Sequence, residues 1–271
     1  MTTTNSALGA QLLEIASALA HQAGTMALDG RRRGLTDVQS KTTTTDMVTE
    51  FDRASEVLVV DGLLKYRPHD AIVGEEGASH FGTSGITWYV DPIDGTTNFL
   101  YSLPTWAVSI GATDEFGSLV GAVYVPALDE MFTAVRQGGA HLNGSPISCN
   151  GTTDLSQALV GTGFSYSPAH RTVQAQRVSR MIHLVRDIRR FGAAAIDLCY
   201  VACGRLDAYF EENLFAWDIV AGELIAREAG CRSGDFGGGA VTSEQVLASA
   251  PAIFDDLADL ITTSGTRGRQ E

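Results

Sequence analysis

The chain has 271 residues, is 44% hydrophobic and carries a formal net charge of -13. Its length and apolar content suit one compact domain or two closely joined lobes. The acidity argues against nucleic acid as a general partner. It would also repel a phosphate ligand unless bound cations reverse the local sign.

No apolar run reaches bilayer length. Met1-Thr2-Thr3-Thr4-Asn5-Ser6 has no basic region, and no apolar signal core follows it. No membrane association is therefore expected, and the cytoplasm is the default location. There Cys149, Cys199, Cys203 and Cys231 are expected to be reduced, small buried residues, with Cys199 and Cys203 in reach of one another along a helix. The six histidines are scattered and read as ordinary surface or core residues.

Leu8, Leu12, Ile15, Leu19, Ala23 and Met26 recur at helical spacing, and Arg31-Arg32-Arg33-Gly34 closes that helix with cations at its negative end. Thr49-Glu50-Phe51-Asp52 has capping-box spacing and starts a second helix with Ala54, Val57, Leu58 and Leu64 on one side. Ala71-Ile72-Val73-Gly74 is a short strand leading into Glu75-Glu76-Gly77. Ile86-Thr87-Trp88-Tyr89-Val90 is a buried one. Strands over 106–112, 119–125 and 131–135 suggest an antiparallel meander, and Asn143-Gly144 marks a hairpin turn. Ala158 to Gly161 is a further strand. Val173, Val178, Met181, Ile182, Val185 and Ile188 predict a long helix face. Ala193 to Cys203 is a helix stopped by Gly204. A strand over 206–210, a helix over 219–229, a strand over 246–250 and a helix containing Ile253, Leu257 and Leu260 complete the fold. This blockwise alternation favours layered α+β or mixed sheets. Gly237-Gly238-Gly239 lacks the strand-to-helix setting of a phosphate loop.

Asp91-Pro92-Ile93-Asp94-Gly95-Thr96-Thr97 follows the Trp88 strand without a polar spacer. Two carboxylates at a strand end are costly to hold together unless a cation neutralises them. Further acids fall where apolar elements end: Asp46 with Asp52, Glu75-Glu76, and Asp218. Each has a plain structural alternative: a helix cap at Asp52, a polar turn at Glu75-Glu76, an N-cap at Asp218. Oxygen ligands without a His or Cys cluster point to Mg²⁺, Mn²⁺ or Ca²⁺ rather than Zn²⁺. Asp91 and Asp94 are three positions apart. Enzymes that form an aspartyl phosphate keep nucleophile and acid two apart. Direct attack by metal-activated water is therefore expected over a covalent intermediate.

Four segments together resemble the inositol monophosphatase family, within the lithium-sensitive, magnesium-dependent sugar-phosphate phosphatases. They are Asp46 to Asp52, Gly74-Glu75-Glu76-Gly77, Trp88 to Phe99, and Trp217-Asp218-Ile219-Val220-Ala221-Gly222 with Glu228-Ala229-Gly230. The resemblance implies a layered α-β-α-β-α sandwich of the inositol monophosphatase and fructose-1,6-bisphosphatase type. It is expected as a single domain with a metal-binding lobe over roughly 1–150, a second lobe over roughly 151–261 and a frayed tail over 262–271.

The resemblance also implies two to three Mg²⁺ ions. Glu75, Asp91 and the Ile93 carbonyl would hold the first; Asp91, Asp94 and Asp218 the second; Glu75 would help with a weaker third. Thr96, with Asp52 and Glu75, would orient the attacking water, and the N–H groups of Gly95 and Thr96 would hold phosphate oxygens. Lys41 and Asp46 match a segment that closes over the site. Glu211, seven positions before Asp218, matches a contact to inositol hydroxyls. Gly192 and Ala193 match the substrate loop, with Ala193 where inositol-specific members often carry Ser or Thr.

The expected activity is hydrolysis of inositol 1-phosphate or a related polyol phosphate. Fructose 1,6-bisphosphate, histidinol phosphate and adenosine 3',5'-bisphosphate are the alternatives. A non-catalytic metal-binding or partner-binding protein is the other class. Lithium inhibition and a homodimer are expected by the same resemblance.

Overall fold

A computed structural model describes residues 3–34, 38–40 and 47–263. Lys41 and Asp46 lie outside the described residues, as does most of the expected tail.

The first half opens with α1 (Thr3–Arg33), the antiparallel pair β1 (Val38–Ser40) and β2 (Met47–Thr49), and α2 (Glu50–Tyr66). It continues with β3 (Ala71–Gly74), β4 (Ser79–His80), β5 (Thr87–Asp94) and the short α3 (Thr96–Leu100). The meander follows as β6 (Ala107–Asp114), β7 (Gly117–Val125), β8 (Glu130–Val135), β9 (Ala140–Leu142) and β10 (Ser145–Ile147). These strands form an eight-stranded sheet in the order β10-β9-β8-β7-β6-β5-β3-β4, and only β3 and β5 run parallel.

The second half contains β11 (Leu159–Thr162), α4 (Pro168–Met181), β12 (Asp187–Arg189), α5 (Ala194–Ala202) and β13 (Ala208–Glu212). It ends with α6 (Ala216–Glu228), β14 (Arg232–Gly234), β15 (Gln245–Ser249) and α7 (Phe254–Thr262). Its five-stranded sheet has the order β12-β11-β13-β15-β14.

Three apolar cores hold five layers together. Leu12, Leu19, Val59 and Leu63 of α1 and α2 pack on Trp88, Val108, Ile110 and Val120 of the large sheet. Ile196, Leu198, Leu224 and Ile225 of α5 and α6 fill the space between the sheets, against Val123, Phe132, Tyr209 and Val246. Met181, Phe254 and Leu257 of α4 and α7 cover the outer face of the small sheet at Phe210 and Leu247. The chain is thus an α-β-α-β-α sandwich. Trp88 is fully buried, and its indole N–H donates to Asp70 at 2.9 Å. Truncating it to alanine would cost about 3–5 kcal/mol. Gly121 lets α6 lie directly on the large sheet: a Cβ there would come within 2.6 Å of the Ala221 carbonyl oxygen.

Two local expectations and one alternative reading fail for physical reasons. The inward face of α2 is Asp52, Ser55, Glu56, Val59 and Leu63, whereas Val57 is 59% exposed. Polar side chains occupy that face because they serve the site, so counting apolar residues selects the wrong stripe. The helix expected to run to Ile188 stops at Met181, and Ile188 lies in edge strand β12 beside Val160. Val173 and Ile182 are half exposed, so the apparent face is not one buried surface. Asp218 is not an N-cap. It is the third residue of α6, and its Oδ2 accepts the Phe215 N–H at 2.7 Å.

Among the described residues no helix is long and apolar enough to cross a membrane.

Candidate active site

β5 continues beyond Val90, where the expected strand ended, and reaches Asp94. Its pairing with β6 shifts register between Asp91 and Asp94. Pro92, which has no N–H to give a ladder, falls inside that irregularity. The break turns both acids out of the regular pleat while keeping them buried: Asp91 is 2% and Asp94 7% exposed. Gly95 then takes φ +89° and starts α3, a conformation that a residue with a Cβ resists.

Glu75, Asp91, Ile93, Asp94, Gly95 and Thr96 line one cavity of about 600 Å³. Asp218 from α6, Glu211 from β13, and Gly192 and Ala194 at the start of α5 line it too. Four stretches distant in sequence therefore meet. Asp52 lies behind the cavity wall. Its Oδ2 accepts the Thr49 N–H at 2.8 Å, completing the helix cap, and its Oδ1 accepts the Thr96 hydroxyl at 3.1 Å. One carboxylate thus makes both the helix cap and the contact to Thr96. Ala193 is 2% exposed and does not line the cavity; it packs against Gly95. His170, expected to be unremarkable, stands in the cavity wall, as does Arg190.

Electrostatics mark the acids as a strained group. Burial pushes Asp91 well above the usual carboxylate range, and repulsion from Glu75, Asp94 and Asp218 adds to it. Burial raises Asp94 to about 7, opposed by the Ala195 N–H and aided by Glu75 and Glu211. Asp218 rises through burial and then Asp94. Burial takes Glu211 to about 7 and Asp52 to about 6.

Among the described residues no three His, Cys, Asp or Glu side chains form a ready-made cation cage. The donor set nevertheless suits a hard divalent cation. Asp91 is buried with Glu75, Asp94 and Asp218 close enough to repel it, a crowding of carboxylates that a bound cation or a proton relieves. Ile93 adds a carbonyl at the same wall, and oxygen donors of this kind suit Mg²⁺, Mn²⁺ or Ca²⁺.

Several residues that hold the site were not singled out from sequence. Glu56 accepts the N–H groups of Glu76 and Ala78 at 2.8 and 3.0 Å, pinning the turn that carries Glu75. Ser55 donates to the Pro92 carbonyl at 3.1 Å. Asn98 donates to the carbonyls of Thr105 and Phe191, tying α3 to the Gly192 loop. Tyr209 donates to Glu211. The one available signal was spacing: Glu56 lies one helical turn after Asp52 and so shares its face.

A profile of the inositol monophosphatase family matches residues 9–264. Inositol-1-monophosphatase SuhB of Mycobacterium tuberculosis (strain ATCC 25618 / H37Rv) is 45% identical over 232 residues, covering 81% of this chain and 79% of that protein. Nus factor SuhB of Escherichia coli (strain K12) is 38% identical over 262 residues, covering 92% of this chain and 98% of its own. Among solved structures, extragenic suppressor protein SuhB from Bartonella henselae superposes with a TM-score of 0.89 at 33% identity, covering 94% of this chain and all of its own (100%). An IMPase from Thermotoga maritima superposes with a TM-score of 0.85 at 31% identity, with 93% and 96% covered. The matched span takes in both sheets and every acid of the cavity, and this chain belongs to the inositol monophosphatase family.

Proposed function

We propose that the chain is a Mg²⁺-dependent phosphomonoesterase that hydrolyses inositol 1-phosphate or a related polyol phosphate to the free alcohol and phosphate. The observation that carries this reading is the convergence of Glu75, Asp91, Asp94, Asp218 and Thr96 on one cavity.

Glu75, Asp91 and the Ile93 carbonyl would hold one cation, Asp91, Asp94 and Asp218 would hold a second, and Glu75 would contribute to a weaker third. When bound, such cations activate water near neutral pH and stabilise charge on the leaving ester oxygen. The Thr96 hydroxyl lies within reach of Asp52 at 3.1 Å and the Ile93 carbonyl at 3.2 Å as a hydrogen-bond donor, and its oxygen would accept from the attacking water. The N–H groups of Gly95 and Thr96, at the start of α3, suit phosphate oxygens. Glu211 accepts from substrate hydroxyls beside the Gly192 loop. The chain positions the reactants and would hold the cations that neutralise the phosphate; it supplies no covalent intermediate. Lys41 and Asp46 belong to this reading as the segment that closes the site. A cytoplasmic location and a homodimer come with it by family likeness.

A second reading is favoured by the relatives named Nus factor SuhB, one of them 40% identical over 92% of this chain. It makes the chain a partner-binding protein on the same fold, with or without retained chemistry. Phosphate release by the purified chain separates the two. The test offers inositol 1-phosphate, fructose 1,6-bisphosphate, histidinol phosphate and adenosine 3',5'-bisphosphate, each with Mg²⁺ and again with EDTA. Mg²⁺-dependent turnover favouring the polyol phosphate supports the first reading. Release from none of the four, in either condition, leaves the second.

A further inference from the structure

Glu211 is the only acid of the cavity that projects from the small sheet alongside a hydrogen-bonded aromatic neighbour on its own strand. Side chains two apart on a strand share a face, so Tyr209 and Glu211 of β13 both point toward α5. The Tyr209 ring is fully buried between the sheets, in the core that includes Ile196 and Leu198. Its hydroxyl donates to Glu211 Oε2. One Glu211 oxygen is thereby committed inside the protein, and the other is left for the cavity.

The neighbouring strand also bounds Glu211. β11 runs parallel to β13, with Gly161 beside Tyr209 and Thr162 beside Phe210. The next residue, Gly163, falls beside Glu211. A Cβ at Gly163 would lie 1.8 Å from Glu211 Oε2, 2.0 Å from Cδ and 2.1 Å from Oε1. The carboxylate occupies the volume that any larger residue would need. Gly163 is not among the glycines with positive φ. Alanine there needs no left-handed backbone, and the atoms it would crowd are those of the Glu211 carboxylate.

We infer that Tyr209 and Gly163 are positioning residues for substrate selection: together they form a slot that holds the Glu211 carboxylate with one oxygen presented to a hydroxyl of a polyol phosphate. The inference rests on reading Glu211 as a polyol contact. It adds that selectivity is set from inside the small sheet, by residues that do not touch substrate. A carboxylate held by a phenol, in the space that Gly163 leaves open, loses little conformational entropy when it accepts the substrate hydroxyl.

The test compares the full chain with Mg²⁺ on inositol 1-phosphate and on 4-nitrophenyl phosphate, which has no hydroxyl to read. Discrimination is the ratio of the two kcat/KM values. Tyr209→Phe keeps the ring and removes only the donor; Gly163→Ala puts a methyl group where the Glu211 carboxylate sits. Each is expected to lower discrimination about tenfold, mostly through KM for the polyol, the size of one lost hydrogen bond to a charged group. In a Glu211→Ala background neither change is expected to lower it further, because both act through that carboxylate. If Glu211→Ala lowers discrimination while Tyr209→Phe and Gly163→Ala leave it unchanged, the slot is wrong and the polyol contact stands. Undiminished effects of the two variants in the Glu211→Ala background would also overturn the slot. If Glu211→Ala itself leaves discrimination unchanged, the reading beneath the slot fails. Gly163→Ala keeps the test decisive should Tyr209→Phe fold poorly.

Discussion

The carboxylate of Asp94, at the end of β5, accepts the backbone N–H of Ala195 at 2.7 Å, across 101 positions of chain. Its other oxygen accepts the Ala194 N–H at 3.2 Å. One side chain thus closes the first turn of α5, where the helix dipole favours negative charge. It also faces the cavity shared by the two sheets. The same residue is buried and crowded by other acids, so its ionised form is held at a disadvantage.

Asp94→Asn separates these roles. The amide oxygen keeps the shorter bond from the Ala195 N–H, the longer one from Ala194 is given up, and a repelling charge is removed. Melting of the EDTA-treated variant at pH 8 is expected at or above the wild-type temperature, by the logic that relieves strain at functional sites. Turnover with Mg²⁺ is expected to fall at least about a hundredfold, as when one stabilising group is removed from charged chemistry. Loss of stability with activity retained would contradict this assignment.

The pH dependence of stability has a definite sign. Asp52, Asp94 and Glu211 are raised by burial to about 6, 7 and 7. The folded chain therefore binds more protons than the unfolded chain from about pH 4 to 7, and stability falls as pH rises through that window. Below it the order reverses. Asp70, held by burial-opposing bonds to Arg67, Ser84 and Trp88, and Asp114, held by Arg136, have depressed values. Their contribution is lost as pH drops through those values. Thermal melting in EDTA is expected to peak at about pH 4 and decline toward pH 8. Added Mg²⁺ is expected to flatten the decline.

Thr96 and Asp52 are distinguishable by paired measurements. Thr96→Ala removes the bond to Asp52 but leaves the Thr49 cap of α2 intact. A fall in kcat of about a hundredfold with little change in melting is expected. Asp52→Ala removes the site contact and the cap together, adding a loss of about 1 kcal/mol from the helix start. Equal melting temperatures for the two variants would argue against the shared role.

Gly95→Ala tests the backbone at the end of β5. A Cβ there would meet the Gly192 carbonyl oxygen at 3.1 Å and the Ala193 methyl at 3.2 Å, in a left-handed conformation that costs about 1–2 kcal/mol for other residues. Denaturant unfolding is expected to show a loss of at least that size, and turnover to fall because β5 and α5 are pushed apart.

Family membership carries the expectation that Li⁺ inhibits. Titrating LiCl, with NaCl as the ionic-strength control, is expected to lower phosphate release at millimolar concentration. Indifference to Li⁺ would point to an altered second cation site at Asp94 and Asp218.

Local signals were read well where one short segment carries its own physics. The Thr49–Asp52 capping box is present in full. Asn143-Gly144 joins β9 to β10. Gly204 and Gly230 follow the ends of α5 and α6. Signals failed where a side chain answers to a distant partner. Ser55 and Glu56 are buried because Pro92, Glu76 and Ala78 need them, so the stripe through Ala54 and Val57 pointed outward. Tyr209 read as one more aromatic in a strand, since only the folded chain sets its hydroxyl against Glu211. Asn98 gave no hint of its reach to Phe191.

The order of residues by itself determined the chemical inventory: oxygen-rich acids beside apolar strands, a glycine able to turn after Asp94, and helices and strands in blocks that make layers. Those properties depend on neighbours a few positions away. Tertiary structure alone decided which oxygens are spent inside the protein and which face the cavity. That choice depends on register between β11 and β13, on the seating of α5 against β5, and on burial, which makes like charges repel strongly enough to favour a cation.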